Sequence, residues 1–370
     1  MRKRLKVAVL FGGRSGEHAV SLRSATSVMD AMDKDKYEII PVGISENGQW
    51  FAGGNPMQAL EKKEIPGDCY FAVMVPDPTD PGLLLLDPGN KTSCRGFIPI
   101  DAVFPVLHGP YGEDGTVQGL LELANLPYVG AGVLSSAAGM DKAVMKILFQ
   151  KKGLPVGDYI YFRASSWAGE REPIIKLIEK RLGYPCFVKP ANLGSSVGVN
   201  KAVRREELIQ AIEVALRFDL KVIVEAFISG REIECSVLGD EEPVASVPGE
   251  IISCNEFYDY EAKYLDNRSK LIIPAPLEPE IKEKIKEYAV QSFLAVECSG
   301  LGRIDFFYED ESRKIYVNEI NTIPGFTNIS MYPKLWEASG IPYPKLIDRL
   351  IEIAMKRFAF KQRLTTSYQA

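Results

Sequence analysis

Short apolar runs alternate with helix-like segments through the first 130 residues of the chain. The predicted strands are residues 6–11, 37–44, 102–107 and a short run at 128–130. The predicted helices, in which apolar residues recur with helical spacing, are residues 21–32 and 115–124. Strands and helices in this order favour an open, largely parallel α/β unit. Residues 52–98 are rich in Pro, Gly and charge, and we predict hairpins and loops there.

The remainder of the chain mixes strands and helices less regularly, as an α+β region does. The predicted helices are residues 141–152, 204–218, 281–293 and 346–358. The predicted strands are residues 185–189, 222–225, 232–238, 302–308 and 315–320. Residues 246–267 combine Gly, Asn and Tyr with charges, and they are predicted to form a long functional loop.

Composition places the chain among ordinary globular proteins. Of its 370 residues, 46% are hydrophobic and 25% are charged, and the net charge is −5. A mildly acidic chain has no general attraction to nucleic acid or to anionic membranes. No apolar run approaches the roughly 20 residues that span a bilayer, and the basic N-terminus lacks the apolar stretch of a secretory signal. We therefore expect a cytoplasmic protein whose six cysteines are reduced and buried.

Two strands near the C-terminus carry the most informative polar residues. Arg303 and Asp305 are two residues apart, as are Glu319 and Asn321, so each pair lies on one face of its strand. Carboxylate and amide oxygens suit Mg²⁺, and an arginine beside them suits a phosphate or a developing oxyanion. The alternative is a solvated face with cross-strand salt bridges. Because the two strands are predicted to pair, and a Pro-Gly turn follows them, we favour a metal–phosphate site.

A second candidate is the loop LGSSVG at residues 193–198, which follows a strand containing Lys189. Its small residues allow backbone N–H groups and hydroxyls to surround phosphate oxygens; the alternative is a flexible hairpin tip. The loop also matches the G-x-S-x-G pattern of hydrolases, which needs a histidine after the serine. His18 and His108 both precede Ser196, which argues against a hydrolase. The G-x-x-x-x-G-K-[ST] phosphate loop is absent from the sequence.

Two further segments carry charged residues with open interpretations. The glycines of GGRSGEHAVS follow a strand, but they do not have dinucleotide-binding spacing, so an NAD enzyme is a weak alternative. Glu17 in this segment suits an ammonium group, although it equally suits the N-terminal region of the helix that follows. In YDYEAKYL, Lys263 and Tyr264 suit a lid that closes over a substrate; the alternative is an amphipathic surface turn.

Taken together, these segments resemble the D-alanine–D-alanine ligase family of ATP-grasp enzymes. The matching pieces, in family order, are GGRSGEHAVS, HGPYGEDG, MDK at 140–142, FVKPANLGSSVGV, YDYEAKY, LGRIDFF and NEINTIPGFTNIS. Ala19 departs from the family, whose members more often have an acidic residue there, and residues 52–98 match no motif. The resemblance implies three domains around a central ATP cleft: an open, mostly parallel α/β domain at 1–130, a central domain at 131–228 and a C-terminal domain at 229–370.

The resemblance also implies roles for individual residues. The expected ATP-binding residues are Lys142, Lys189 and Lys263 at the phosphates, Ser195 and Ser196 in the small-residue loop, Glu225 at the adenine amino group, Glu232 at the ribose, and Asn318. The expected ligands of two Mg²⁺ ions, which Mn²⁺ can replace, are Asp305, Glu319 and Asn321. The expected substrate-binding residues are Glu17 for the ammonium of the first D-alanine, His108, and Ser330 for the carboxylate of the second. The expected catalytic residues are Glu17, Ser195 and Tyr264, which bond together when the lid closes, and Arg303 with the Gly325 N–H, which stabilise a tetrahedral intermediate.

The implied reaction is ATP-dependent joining of two D-alanine molecules, through an acyl phosphate, for peptidoglycan precursors. Some related ligases that use D-lactate have a histidine at the lid position of Tyr264, and a cationic histidine would repel the ammonium of a second amino acid. Tyr264 therefore favours the dipeptide over the D-lactate ester. The same motifs also leave open a different ATP-grasp carboxylate–amine ligase and a non-catalytic nucleotide-binding module. The expected partners are D-alanine and ATP, and the resemblance suggests a homodimer.

Overall fold

The computed structural model describes residues 4–64, 67–194, 197–252 and 270–365. The first sheet has seven strands in the order β6-β5-β4-β3-β2-β1-β7. These strands are β1 Leu5–Gly12, β2 Tyr37–Ile44, β3 Trp50–Ala52, β4 Tyr70–Val75, β5 Gly82–Asp87, β6 Asn90–Pro99 and β7 Ala102–Val106. Three helices belong to the same part of the chain: α1 His18–Ala31 follows β1, α2 Pro56–Lys62 follows β3, and α3 Thr116–Leu123 follows β7.

This sheet is parallel only at one end, where β2, β1 and β7 lie side by side. β1 pairs in parallel with β2 and with β7, as the alternation of strands and helices predicts. The junctions from β2 through β6 are antiparallel. The prediction of a mostly parallel sheet is therefore wrong. The hairpins predicted within residues 52–98 do form, but they extend the same sheet with antiparallel strands. The predicted strand at 128–130 is reduced to one parallel bridge between Val103 and Tyr128.

A four-stranded antiparallel sheet follows, in the order β10-β9-β11-β8. Its strands are β8 Tyr159–Arg163, β9 Cys186–Pro190, β10 Asn200–Ala202 and β11 Lys221–Ala226. The helices of this region are α4 Val133–Met140, α5 Lys142–Lys151, α6 Ala164–Arg181 and α7 Arg205–Ala215. Gly153 follows α5 with a left-handed φ of 82°, which confirms the predicted end of that helix.

The third sheet is antiparallel and runs β15-β14-β12-β16-β17, with β13 also paired to β12. Its strands are β12 Arg231–Gly239, β13 Val244–Ala245, β14 Gly249–Ile252, β15 Lys270–Ile272, β16 Gly300–Glu309 and β17 Lys314–Asn321. The accompanying helices are α8 Pro279–Ala295, α9 Met331–Ala338 and α10 Tyr343–Lys361. The predicted loop at 246–267 is partly wrong, because β14 pairs with two strands there; residues 253–269 lie outside the described residues.

The last helix packs against the first sheet. α10 buries Leu346, Ile347 and Leu350 in the same core cluster as Val9 and Phe104 of β1 and β7. The apolar residues of α10 recur at helical spacing, so they form one continuous stripe that can cover a sheet. Both ends of the chain thus contribute to one core, whereas the domain limits at 130 and 228 stay predictions.

Two further sequence expectations concern the burial of the cysteines and the possibility of membrane-spanning helices. The thiols of Cys69, Cys186, Cys235 and Cys298 are buried and unbridged, as expected. The expectation of burial is wrong for Cys94, which is exposed on the edge strand β6. Cys254 lies outside the described residues. In the part of the chain that the structure describes, none of the helices combines the length and apolar character that crossing a bilayer requires.

Candidate functional site

A cleft of about 1050 Å³ is lined by residues from the second and third sheets, from α1 and the segment after β7, and from the segment that follows β17. Every predicted site residue that the structure describes lines this cleft. These are Glu17, His108, Lys142, Lys189, Glu225, Glu232, Arg303, Asp305, Asn318, Glu319, Asn321, Gly325 and Ser330. Ser195, Ser196, Lys263 and Tyr264 lie outside the described residues.

The predicted pairing of the last two strands is confirmed. In the ladder between β16 and β17, Arg303 lies opposite Asn321 and Asp305 lies opposite Glu319. The Arg303 guanidinium donates two bonds to Asp305, from Nε at 2.7 Å and from Nη2 at 2.8 Å. Asn321 Nδ2 donates to Asp305 Oδ2 at 3.0 Å. The four side chains therefore share one face, as their two-residue spacing predicts.

A buried carboxylate that sequence reasoning missed extends this row. Glu234 on β12 lies opposite Asp305, and its Oε2 is 3.0 Å from Arg303 Nε. Glu232, two residues earlier, points to the same face and also lines the cleft. The signal was present in REIECSV, where Glu232 and Glu234 alternate with the buried residues Ile233 and Cys235. One arginine thus serves two carboxylates on neighbouring strands.

The MDK segment places Lys142 at the beginning of α5. Asp141 caps the helix by accepting from the N–H groups of Ala143 and Val144, each at 3.1 Å. The backbone N–H of Lys142 donates to Ala191 O at 2.8 Å, which ties the helix to the end of β9. Its ammonium donates to Leu193 O at 2.9 Å and lies 3.4 Å from Glu319 Oε2. Lys142 therefore joins the small-residue loop to the Glu319 carboxylate of β17.

Two lysines share the carboxylate of Glu225. Lys189 Nζ lies 2.5 Å from Glu225 Oε2, and Lys146 Nζ lies 3.0 Å from Glu225 Oε1. Burial opposes ionisation of Glu225, but the ammonium groups of Lys146 and Lys189 lower its pKa to about 2. Burial also opposes the charge of Lys189, yet Glu225 and Glu319 outweigh it and raise the pKa of that lysine. The pair is therefore ionised at neutral pH.

Sequence reasoning missed Lys146, which is buried on α5. It follows Lys142 by four residues and so lies on the same side of the helix. Its ammonium also donates to the backbone oxygen of Asn318 on β17 at 2.9 Å. Burial lowers the pKa of Lys146. This lysine thus ties α5 to the second and third sheets.

Glu17 occupies the N-cap position of α1, but its side chain makes no capping hydrogen bond. The carboxylate is buried and lies against two glycines. A Cβ on Gly109 would be 2.6 Å from Glu17 Oε2, and a Cβ on Gly194 would be 3.1 Å from it. Of the two interpretations that the spacing left open, the structure therefore favours a carboxylate held in the cleft.

The HGPYGEDG segment contributes two buried titratable groups. His108 Nδ1 lies 2.9 Å from Ile323 O, and Nε2 lies 3.2 Å from Ser24 Oγ. Glu113, which sequence reasoning missed, accepts from the N–H groups of Gly109 at 2.6 Å and Ile323 at 3.1 Å. Burial and the nearby charge of Glu17 raise the pKa of Glu113 to about 8. Burial lowers the pKa of His108, which favours its neutral ring.

Ser330 precedes α9 and stands beside the Pro-Gly turn. Its Oγ lies 2.8 Å from Thr327 Oγ1 and accepts from Thr327 N–H at 3.1 Å. A Cβ on Gly325 would lie 3.1 Å from Ser330 Oγ. Lys334, one helical turn later, also lines the cleft. The predicted carboxylate-binding serine and the predicted oxyanion donor are thus neighbours.

The donor set near Arg303 fits Mg²⁺ by its chemistry. Asp305, Glu319 and Asn321 present two carboxylates and an amide on paired strands, and hard oxygen donors suit Mg²⁺. Within the described ranges, no three His, Cys, Asp or Glu side chains converge as metal ligands. The fit therefore rests on two carboxylates with an amide, next to the cations of Lys142 and Arg303.

Comparison with known proteins agrees with this geometry. Family models described as the N-terminus and the C-terminus of D-ala D-ala ligase match residues 6–131 and 148–352. The chain is 52% identical over 366 residues to a D-alanine–D-alanine ligase of Natranaerobius thermophilus, covering 99% of both chains.

Two solved structures extend the similarity to the fold. The VanG D-Ala:D-Ser ligase from Enterococcus faecalis matches with a TM-score of 0.85 and 38% identity, covering 95% of this chain and 100% of that chain. The D-alanine–D-alanine ligase from Coxiella burnetii matches with a TM-score of 0.83 and 37% identity, covering 97% and 96%. With family models over most of its length and a relative about half identical, this chain belongs to the D-alanine–D-alanine ligase family of ATP-grasp enzymes.

Proposed function

We propose that this protein joins two D-alanine molecules into D-alanyl-D-alanine with ATP, and that the dipeptide serves peptidoglycan precursor synthesis. One observation carries the proposal for this chain. A carboxylate suited to an ammonium group, lysines suited to phosphates, and oxygen donors suited to Mg²⁺ line the same cleft. ATP and D-alanine are the substrates that membership of this family implies, and their use would place the enzyme in the cytoplasm.

The first step makes an unreactive carboxylate electrophilic. The carboxylate of the first D-alanine attacks the γ-phosphorus of ATP, the bond to ADP breaks, and an acyl phosphate forms. Lys142, Lys189 and Arg303 lower the electrostatic repulsion between the anionic nucleophile and the phosphates. Mg²⁺, which we assign as two ions to Asp305, Glu319 and Asn321, supplies further neutralisation of phosphate charge when bound. We assign Glu225 to the adenine amino group, Glu232 to the ribose, and Asn318 to the nucleotide site as well.

The second step forms the peptide bond. The amine of the second D-alanine attacks the acyl carbon as a free base, a tetrahedral oxyanion forms, and phosphate leaves. We assign Arg303 and the Gly325 N–H to stabilise that oxyanion, and one such donor contributes roughly 10²–10³ in rate. Glu17 binds the ammonium of the first substrate, and Ser330 binds the carboxylate of the second. His108 lines the substrate end of the cleft.

The lid roles rest on the sequence motif alone. We assign Lys263 to the ATP phosphates and Ser195 and Ser196 to the small-residue phosphate loop. Tyr264, Ser195 and Glu17 are proposed to bond together on closure. Exclusion of water is needed at this stage, because water would hydrolyse the acyl phosphate.

The second substrate is the least constrained feature of the proposal. Tyr264 favours an amino acid over D-lactate, but a similar solved structure is a D-Ala:D-Ser ligase, so D-serine is a second candidate. We would incubate the enzyme with ATP, Mg²⁺ and D-alanine, alone or with D-serine or D-lactate, and identify products by mass spectrometry. We expect D-alanyl-D-alanine to dominate. A dominant mixed product would refute the assigned substrate.

The metal assignment has its own test. Glu319→Ala should reduce ADP release by at least about 10³-fold, because a ligand and the partner of Lys142 are lost together. Glu311→Ala, in the exposed turn between the same strands, is the matched control and should keep wild-type activity. Mg²⁺-dependent binding of an ATP analogue, measured by calorimetry, should weaken only in Glu319→Ala. Wild-type turnover in that variant would contradict the assignment.

The remaining proposals concern assembly and ion preference. We propose a homodimer, which light scattering coupled to gel filtration would test, and a monomer at working concentration would contradict it. We also propose that Mn²⁺ replaces Mg²⁺, since both take carboxylate and amide oxygen ligands.

A further inference from the structure

The turn that carries the proposed oxyanion donor is hydrogen-bonded at both ends by side chains from other parts of the chain. Glu113 Oε1 accepts from Ile323 N–H at 3.1 Å, and Ile323 O lies 2.9 Å from His108 Nδ1. Phe326 N–H donates to Ser24 Oγ at 3.3 Å, and Tyr343 OH donates to Phe326 O at 2.5 Å. The backbone N–H and C=O of both end residues are therefore bound by distant parts of the chain.

The directions of these hydrogen bonds are determined by the groups involved. A backbone oxygen only accepts, so His108 Nδ1 must carry the proton that it shares with Ile323 O. In a neutral ring Nε2 then accepts, and the donor is the hydroxyl of Ser24, 3.2 Å away. Ser24 Oγ accepts from Phe326 N–H at the same time. His108 and Ser24 thus form one directed chain that holds both ends of the turn.

Between the two fastened residues lie only Pro324 and Gly325. Pro324 has no N–H group and a restricted φ, so it adds stiffness without a competing donor. Gly325 lines the cleft, and a Cβ there would lie 3.1 Å from Ser330 Oγ. Among the described residues, none accepts a hydrogen bond from the Gly325 N–H. This N–H group is therefore held in place by its neighbours and available to a ligand.

We infer that Ser24, His108, Glu113 and Tyr343 form a clamp that positions the Gly325 N–H against the tetrahedral oxyanion; the inference rests on the proposed function. Both ring nitrogens of His108 are occupied within the protein, so its part is to orient the turn. Placement matters because an oxyanion donor is effective only within about 2.7–3.1 Å of the position that the developing charge takes. All four are positioning residues.

Ser24→Ala is the first test, with Ser27→Ala as its matched control. Both serines are on α1, but Ser27 is only bonded to the backbone of its own helix, at Arg23 O. We expect Ser24→Ala to lower kcat about tenfold, below the roughly 10²–10³ for loss of a whole donor, with the KM for ATP unchanged. Affinity for a phosphinate analogue of D-alanyl-D-alanine, which mimics the tetrahedral centre, should fall by a similar factor. Ser27→Ala should match the wild type in each measurement.

Tyr343→Phe provides a second variant that keeps the ring and its packing. It removes only the bond to Phe326 O and should show the same kcat loss with the same KM for ATP. An active wild type whose Ser24→Ala or Tyr343→Phe variants, folded by circular dichroism, keep wild-type kcat and phosphinate affinity would overturn the clamp alone. A wild type that makes no dipeptide would overturn the proposed function and the clamp together.

Discussion

Replacing Glu113 by glutamine should make the protein more stable than the wild type at alkaline pH. The carboxyl group is buried, and burial together with the charge of Glu17 raises its pKa from 4.5 to about 8. A carboxyl group with a raised folded-state pKa stabilises the fold fully below its unfolded pKa, and this contribution is lost as pH rises through the folded value. Glutamine does not ionise, so the variant escapes that loss.

The expected magnitude follows from the pKa and the contacts. A rise from 4.5 to about 8 corresponds to about 5 kcal/mol of unfolding free energy over the full range, of which about half falls between pH 6 and pH 9. The two carboxyl oxygens accept from Gly109 and Ile323. Glutamine has one acceptor oxygen, so one bond is lost, which costs about 1–3 kcal/mol at every pH. That constant cost cancels when the two pH values are compared.

Urea unfolding followed by circular dichroism at pH 6 and pH 9 measures the difference. We expect the unfolding free energy of Glu113→Gln relative to the wild type to rise by about 2–3 kcal/mol from pH 6 to pH 9. Glu61→Gln, on the exposed side of α2, is the control, and its difference from the wild type should be the same at both pH values. A difference for Glu113→Gln that is constant, or that falls with pH, would refute the assignment of a protonated Glu113.

Two further predictions concern packing and buried charge. Lys146→Met should lower the unfolding free energy by about 2 kcal/mol, because it removes charge-assisted hydrogen bonds to Glu225 and Asn318 O while Lys189 still pairs with Glu225. It should also weaken ATP binding measured by calorimetry, whereas Lys151→Met on the exposed surface of the same helix should do neither. Gly300→Ala should lower the unfolding free energy, measured in urea, by about 3 kcal/mol, because φ is +78° and the new Cβ would lie 2.9 Å from the backbone of Gly130. Gly340→Ala is the control: its φ of +87° is similar, but nothing lies within 4 Å of the new Cβ, so it should cost only about 1 kcal/mol. Equal losses in the two variants would contradict the role of the contact with Gly130.

The elements with a clear period were predictable, and those without one were missed. β16 and β17 alternate apolar and polar residues, and their pairing followed from that pattern. α4 was missed because it consists mostly of small residues, several of them buried, which form no apolar stripe in the sequence. α6 was missed because Pro173 lies inside it, next to a kink at Glu170. α2 was missed although its signals are present, with Asn55 as N-cap and a proline at the first position.

The residues of the site also fall into two groups, those that sequence patterns identified and those that they did not. Residues in motifs or at two-residue spacing, such as Glu17 and Asp305, were identified from the sequence, and they line one cleft. Lys146 and Glu234 were not, because an isolated lysine on a helix and a glutamate in an apolar strand more often face water. Their burial depends on packing between elements that are far apart in sequence, and periodicity carries no information about such contacts.

Lys146, which sequence reasoning missed, keeps the buried carboxylate of Glu225 paired. Lys189 is paired with Glu225 and Lys142 with Glu319, so these two lysines, both proposed for ATP phosphates, have carboxylate partners within the protein. When Lys189 turns toward a phosphate, Glu225 would be a buried anion with no partner, and an unpaired buried charge costs about 3–5 kcal/mol. Lys146 prevents this, because it contacts the other carboxylate oxygen and is itself held by Asn318 O. A second lysine on Glu225 therefore lets the first one change partners, which is why the loss of Lys146 is expected to weaken nucleotide binding as well as the fold.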